Sequence, residues 1–228
     1  MRCLACAMIV LAWADSTHAQ QSAGDFYTTA GVSFPYQAAV DPASAPPFPA
    51  PGGITVGWLA GGGVFLPAGF SLEGELSRTG TMTSNHDGRH YTGQSATRRD
   101  WFLSVGLKRH FDLRSTFGVE PIVGLVLVGD QGTYENTYGS AFGTENRYSG
   151  YYPIDWVQGV MFGVDFRIGG RRLAFTPGLR FAFTNVPTGQ DCVVLSSGGT
   201  ECRDDAERWK YRHPRWTLRP AAALRVVF

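Results

Sequence analysis

The sequence predicts an all-β protein: an eight-stranded antiparallel transmembrane β-barrel with short periplasmic turns and long extracellular loops. Three observations carry that expectation: the two-residue alternation of the last segment, an export leader at the start, and loops that alternate in length. In the run 212–228 (RHPRWTLRPAAALRVVF), Phe228, Val226, Leu224, Ala222, Pro220, Leu218, Trp216 and Pro214 share one face. Val227, Arg225, Ala223, Ala221, Arg219, Thr217, Arg215 and His213 share the other. A strand with one apolar and one charged face, ending on an aromatic residue, belongs where one side meets lipid and the other a polar lumen.

The leader is residues 1–19, with one early positive charge at Arg2, an apolar stretch over 4–14, and the polar end Thr17, His18, Ala19. It reads as a secretory signal peptide cleaved after Ala19, too short for a membrane anchor, which leaves residues 20–228 as a barrel domain. Cys3 and Cys6 leave with it; Leu4, Ala5 and Cys6 have the form of a lipoprotein box, but no apolar region precedes them. Cys192 and Cys202 share a polar stretch with Gly198, Gly199, Asp204 and Asp205. In an exported chain such a pair favours a local disulfide over a metal site, for which no histidine pair stands nearby.

A formal net charge of +1 provides no basic field for nucleic acid. Glycine is abundant at 29 residues, aromatics reach 13% and charged residues only 17%, with no later apolar run long enough for a membrane helix. A closed barrel crosses a bilayer without one, because closure pairs every backbone group.

The eight strands follow from the two-residue period. Residues 25–36 alternate weakly, with Phe26, Ala30, Val32, Phe34 and Tyr36 on one side. After a proline-rich loop at 41–51, residues 53–66 align Ile54, Val56, Trp58, Ala60, Val64 and Leu66. Pro67, Ala68 and Gly69 turn into 70–82, where Phe70, Leu72, Leu76 and Met82 oppose Ser71, Glu73, Glu75, Ser77, Thr79 and Thr81. A hydrophilic loop at 83–96 leads to 98–111, with Trp101, Leu103, Val105, Leu107 and Phe111 opposite Ser104, Gly106, Lys108 and His110. A short turn at 112–116 leads to 117–128, where Phe117, Val119, Pro121, Val123, Leu125 and Leu127 oppose Gly118, Glu120 and Gly124. A long loop over 129–153 precedes 154–168, with Trp156, Val160, Phe162, Val164, Phe166 and Ile168 opposite Gly159, Gly163, Asp165 and Arg167. Gly169 and Gly170 turn into the seventh strand, where Leu173, Phe175, Pro177, Leu179, Phe181 and Phe183 oppose Arg172, Ala174, Thr176, Gly178, Arg180, Ala182 and Thr184. The cysteine loop, 186–211, reaches the terminal strand.

Long and short connections alternate without exception along this path, the outer-membrane arrangement, and an even strand number puts both ends on the short-turn side. A soluble lipocalin-like barrel would instead point its apolar face inward around a ligand. Here glutamate and arginine share the parity of the glycines.

In these features the chain resembles the small outer-membrane β-barrel proteins of Gram-negative bacteria, the OmpA and OmpX type, over about residues 25–228. The resemblance rests on the ending Leu224, Val226, Phe228, the leader and the loop pattern, and on no active-site motif. It implies a lipid bilayer with lipopolysaccharide as surroundings. It also implies that the terminal strand, with Trp216, Leu224, Val226 and Phe228, is an assembly signal for the barrel-assembly machinery. The chain departs from full-length OmpA by ending at Phe228, with no peptidoglycan-binding domain, so one domain is expected.

Glu73, Glu75, Lys108, His110, Glu120, Asp165, Arg167, Arg172, Arg180, Arg215, Arg219 and Arg225 fall on inward parity. An eight-stranded barrel is only wide enough for side chains, so opposite charges are expected to pair there as a plug rather than to line a narrow pore. A lipid A-modifying enzyme would need a serine or histidine with an orienting carboxylate near the outer leaflet. His86, Asp87 and His90 lie in the second long loop and His213 near the outer end of the last strand, and they form no such constellation; the spacing of the first three would suit a metal but reads as a chance match in a loop, so no catalytic, metal or cofactor site is expected. Gly61, Gly62 and Gly63 lack the lysine of a phosphate loop and read as room in a crowded strand. Trp101, Trp156, Trp216, Tyr151, Tyr152 and Tyr211 gather toward the long loops, and Phe70, Phe111, Phe117, Phe166 and Phe228 toward the short turns, as two interfacial girdles. The expected role is non-enzymatic, structural or surface-interacting through the loops, with transport of small solutes as the alternative. The sequence does not name the extracellular partner.

Overall fold

The computed structural model describes residues 23–37, 53–88, 91–139, 145–185, 190–194, 199–204 and 216–228. The leader, the proline-rich segment 41–51, His90, Tyr211, His213 and Arg215 lie outside them. Eight long strands close on themselves: β1 (Phe26–Ser33), β2 (Gly57–Leu66), β3 (Phe70–Arg78), β4 (Tyr91–Arg109), β5 (Phe117–Gly139), β6 (Glu145–Gly169), β7 (Leu173–Thr184) and β8 (Trp216–Val227). Each pairs antiparallel with its sequence neighbours. β8 closes the ring on β1, from Tyr27↔Val227 to Ser33↔Ala221. No sheet edge is left at the level of the barrel, so every spanning strand has hydrogen-bonded neighbours on both sides.

The faces follow the alternation. Leu72, Leu76, Leu103, Val105, Leu107, Val123, Leu125, Leu127, Val160, Phe162, Leu179, Leu224 and Val226 are exposed on the outer wall, while Glu73, Lys108, Glu120, Asp165, Arg180 and Arg225 are buried inside. Trp101 and Phe111 are ten positions apart, as are Trp156 and Phe166. At ~3.3 Å per residue and a tilt of ~40°, each step spans about 25 Å, the height of an outer-membrane apolar band. The turn between β2 and β3 takes Ala68 and Gly69 into the left-handed region, with φ of 61° and 72°.

The structure corrects the sequence reading in four places. The expected loops at 83–96 and 129–153 are largely strands: Met82–Gly88 pairs with the upper part of β4, and β5 and β6 remain paired up to Gly139 and Glu145. Both faces of these extensions lie above the membrane, so no apolar alternation marks them. The cysteine segment likewise contains a hairpin, Gln190–Val194 with Thr200–Asp204, whose first strand pairs with Ser149, Gly150 and Tyr151 of β6.

The second correction concerns the end of the third strand, where the alternation predicts Met82 outside and Thr81 inside. Met82 is buried and Thr81 exposed. Arg78 pairs with Trp101 and Met82 with Arg98, so residues 79–81 on one strand oppose only 99 and 100 on the other. One extra residue inverts the alternation, as at a β-bulge. A second register shift lies between Tyr152 and Asp155.

Third, the interior is not uniformly polar. Phe102, Ile122, Val126, Val128, Met161 and Ala182 form a buried apolar cluster within the barrel. Fourth, Arg172 lies in the exposed β6–β7 turn rather than in the lumen.

Candidate functional site in the lumen and the outer hairpins

Cross-lumen ion pairs fill the barrel. Lys108 on β4 donates to Glu73 of β3 at 2.5 Å and to Asp165 of β6 at 2.7 Å. Arg180 on β7 grips Asp165 with both nitrogens, the Nη2–Oδ2 distance being 2.7 Å, and reaches Glu73 at 3.3 Å. β3 and β7 lie opposite each other in a ring of eight, so the Glu73–Arg180 pair crosses the full lumen. Arg225 on β8 is bidentate to Glu120 on β5, at 2.8 and 2.5 Å. Arg167 donates to Asp112 at 2.5 Å and stands 3.9 Å from Glu120.

Glu73, Asp112, Glu120 and Asp165 thus balance Lys108, Arg167, Arg180 and Arg225. Charges taken from water are tolerable only when paired and hydrogen-bonded with good geometry, and this set meets that condition by mutual pairing. Nearer the outer end, Arg219 stands 2.7 Å from Glu75 and donates to Ser77, with its guanidinium 4.8 Å from the Phe102 ring centroid. Higher still, Arg98 Nε lies 3.0 Å from Asp100 and 3.2 Å from Asp130. Of the twelve ionisable residues placed inward from the sequence, Glu73, Glu75, Lys108, His110, Glu120, Asp165, Arg167, Arg180, Arg219 and Arg225 take part in these contacts; Arg172 lies in the exposed turn, and Arg215 is not among the described residues.

Sequence reasoning missed Tyr27 and Phe65 as joints of this network, while parity alone sets His110 inside. Tyr27 donates to Glu73 at 2.8 Å, lies 3.2 Å from the Ser71 hydroxyl, and has its ring 4.9 Å from the Arg225 guanidinium. His110 bridges Glu120 at 2.9 Å and Ser71 at 2.8 Å, beside Phe65. The signal for Tyr27 was its parity opposite the exposed Phe26. Room for it comes from Gly63, where a Cβ would stand 2.6 Å from the Tyr27 ring. Gly178 leaves space for Asp165 in the same way, a Cβ there overlapping the carboxylate. Small residues in the strands therefore set where large polar ones fit.

The outer wall carries two aromatic levels. Trp58, Arg78, Trp101, Gly129 and Trp156 are consecutive register partners across β2 to β6. Tyr36, Phe181 and Trp216 continue the level on the far side. At the turn end, Phe117 stacks on Phe166, Arg109 lies over Phe70 and Phe111, and Phe228 is exposed. Above the upper level the sheet continues as hairpins, and Cys192 and Cys202, directly paired across their strands, are joined by a disulfide. His86 and Asp87 lie in the strand Met82–Gly88. Among the described residues no group of three metal-ligating side chains occurs.

A closed eight-stranded barrel with a lipid-facing apolar belt, two aromatic rims and a charge-filled lumen defines an outer-membrane β-barrel. No protein-family model matches the chain, and no curated protein matches it in sequence. Among solved structures it is similar to a major outer membrane protein from Thermus thermophilus, with a TM-score of 0.60 and 14% identity over 91% of this chain and 100% of that one. Neisserial surface protein A, at a TM-score of 0.47 and 13% identity, and the attachment invasion locus protein Ail of Yersinia pestis, at 0.47 and 6%, match over the same shares. At these identities the likeness is one of fold.

Proposed function

We propose that this chain is a non-enzymatic surface protein of the bacterial outer membrane, whose barrel is a plugged anchor and whose outer hairpins engage an extracellular partner. One observation carries the reading: β5 continues ten residues past Gly129, paired throughout this stretch with β4 or β6, above a lumen filled by mutually paired charges. Building a sheet that far above the belt orders many backbone groups at an entropic cost that anchoring alone does not require. Its use is as a rigid platform for recognition, because binding residues are held best on regular elements.

Two measurements test this. Purified protein in planar bilayers is expected to give no unitary conductance; reproducible steps would replace the plug with the solute-pore reading. Replacing residues 133–151 with an Asn-Gly turn, between the register partners Gly132 and Tyr152, should leave the heat-dependent gel shift of a folded barrel intact. The same variant should lose adhesion of expressing cells to immobilised polysaccharide and protein surfaces. Unchanged adhesion sinks the surface role.

A further inference from the structure

We infer that the outer wall carries a binding site for a lipid phosphate, formed by Arg78 and Arg99 beside Trp58 and Trp101, and that its occupant is the phosphorylated glycolipid of the outer leaflet, lipopolysaccharide. The inference deepens the membrane reading above and rests on its orientation of the barrel.

Arg78 is the last residue of β3 and follows Phe70, Leu72, Gly74 and Leu76 on the lipid-facing parity. A guanidinium in that column stands out, because every ionised group in the lumen described above has an opposite charge beside it. Arg78 has none among the described residues. Its guanidinium instead lies over the Trp101 ring at 4.9 Å, and Trp101 meets Trp58 edge-on at 5.9 Å. Its Nε is shielded from solvent and has no hydrogen-bond partner among the described residues.

Arg99 lies two residues from Trp101 on the same face of β4, diagonal to Arg78, a relationship that sets backbones about 7–8 Å apart and brings long side chains within reach of one group. It is exposed, and its Nε donates to Thr81 Oγ1 at 2.6 Å. The extra residue in 79–81 presents Thr81 on the outer face, so the bulge supplies the hydroxyl that orients Arg99. Both cations stand at the tryptophan level on the hairpin side, at the height of outer-leaflet headgroups. Guanidinium groups match phosphate oxygens with paired donors, and the desolvation and stacking on Trp101 pre-order one of them. Charge, level and the shielded donor all call for an anion fixed to a lipid.

Folded full-length protein in detergent micelles, titrated with bisphosphorylated lipid A and with the same lipid after removal of its phosphates, tests the site by native mass spectrometry. The wild type should prefer the phosphorylated form, and Arg78→Gln with Arg99→Gln should remove that preference, at about tenfold per guanidinium. Arg172→Gln, at the exposed opposite end, should keep it. No preference in the wild type, its persistence in the double variant, or an equal loss in Arg172→Gln overturns the site. Arg99→Gln alone, at an exposed position, retains the test if the double variant fails to fold. A conducting barrel that still distinguished the two lipids would overturn the plug and leave this site standing.

Discussion

Arg225 of β8 and Glu120 of β5 are locked face to face across the lumen, each guanidinium nitrogen on its own carboxylate oxygen at 2.8 and 2.5 Å. The two strands are three apart in the ring, so this pair ties walls that share no backbone hydrogen bonds. Glu120 also accepts from His110 and stands near Lys108 and Arg167. Glu120→Ala therefore strands several positive groups in a closed interior and should cost about 3–5 kcal/mol. Adding Arg225→Ala should recover part of that loss, because the uncompensated charge is then gone. Urea unfolding in lipid vesicles, read by gel migration without boiling, measures Glu120→Ala, Arg225→Ala and the double variant; a double-variant loss equal to the sum of the two single losses would show that the pair is not coupled.

Gly63 and Tyr27 are direct register partners, and the ring occupies the space above the glycine. A methyl group at Gly63 would stand 2.6 Å from the ring and 2.5 Å from the Leu72 carbonyl oxygen. Gly63→Ala should therefore destabilise the barrel by about 1–3 kcal/mol through overpacking. Gly74→Ala is the control, since the nearest atom there is 4.0 Å away. Matching losses at the two positions, measured by the same unfolding curves, would remove the packing argument.

Much of this architecture is legible in the sequence because lipid and lumen impose opposite chemistry on alternate residues. β7 and β8 read directly, and parity alone places Lys108, Glu120, Asp165, Arg180 and Arg225 inside. The apolar lumen residues do not announce themselves, because Phe102, Ile122, Val126 and Met161 are chemically indistinguishable from lipid-facing side chains; only their position in the alternation separates them. The extensions of β4, β5 and β6 pass for loops because above the belt the pattern that betrays a spanning strand is lost. The bulge at 79–81 is invisible for a different reason. A one-residue insertion leaves composition unchanged and inverts the face of everything beyond it.

That insertion makes a prediction about deletions. Removing Gly80 would let residues 79 and 81 oppose 100 and 99, giving an unbroken ladder between the pairs Arg78↔Trp101 and Met82↔Arg98 with Thr81 still outside and Met82 still inside. The barrel should therefore fold with Gly80 deleted, with little change in its heat-dependent gel shift. Deleting Gly74 instead moves Glu73 and its neighbours onto the wrong face relative to Glu75, putting charges into lipid, and should abolish folding. If both deletions are equally damaging, the inverted alternation is not caused by the extra residue.

The disulfide acts at a different level from the lumen pairs. Cys192 and Cys202 close a segment of sequence separation 10 within a hairpin that pairs with the barrel through the upper part of β6. A loop of that size gains about 3 kcal/mol from closure in the chain-entropy account, and the gain should be local because the hairpin lies outside the closed ring. Cys192→Ser with Cys202→Ser should leave the urea midpoint of the barrel unchanged. Trypsin cleavage at Arg203 should become markedly faster, and the same acceleration should follow treatment of the native protein with a reductant. A shift in the barrel midpoint without faster cleavage would mean that the crosslink braces the membrane domain instead.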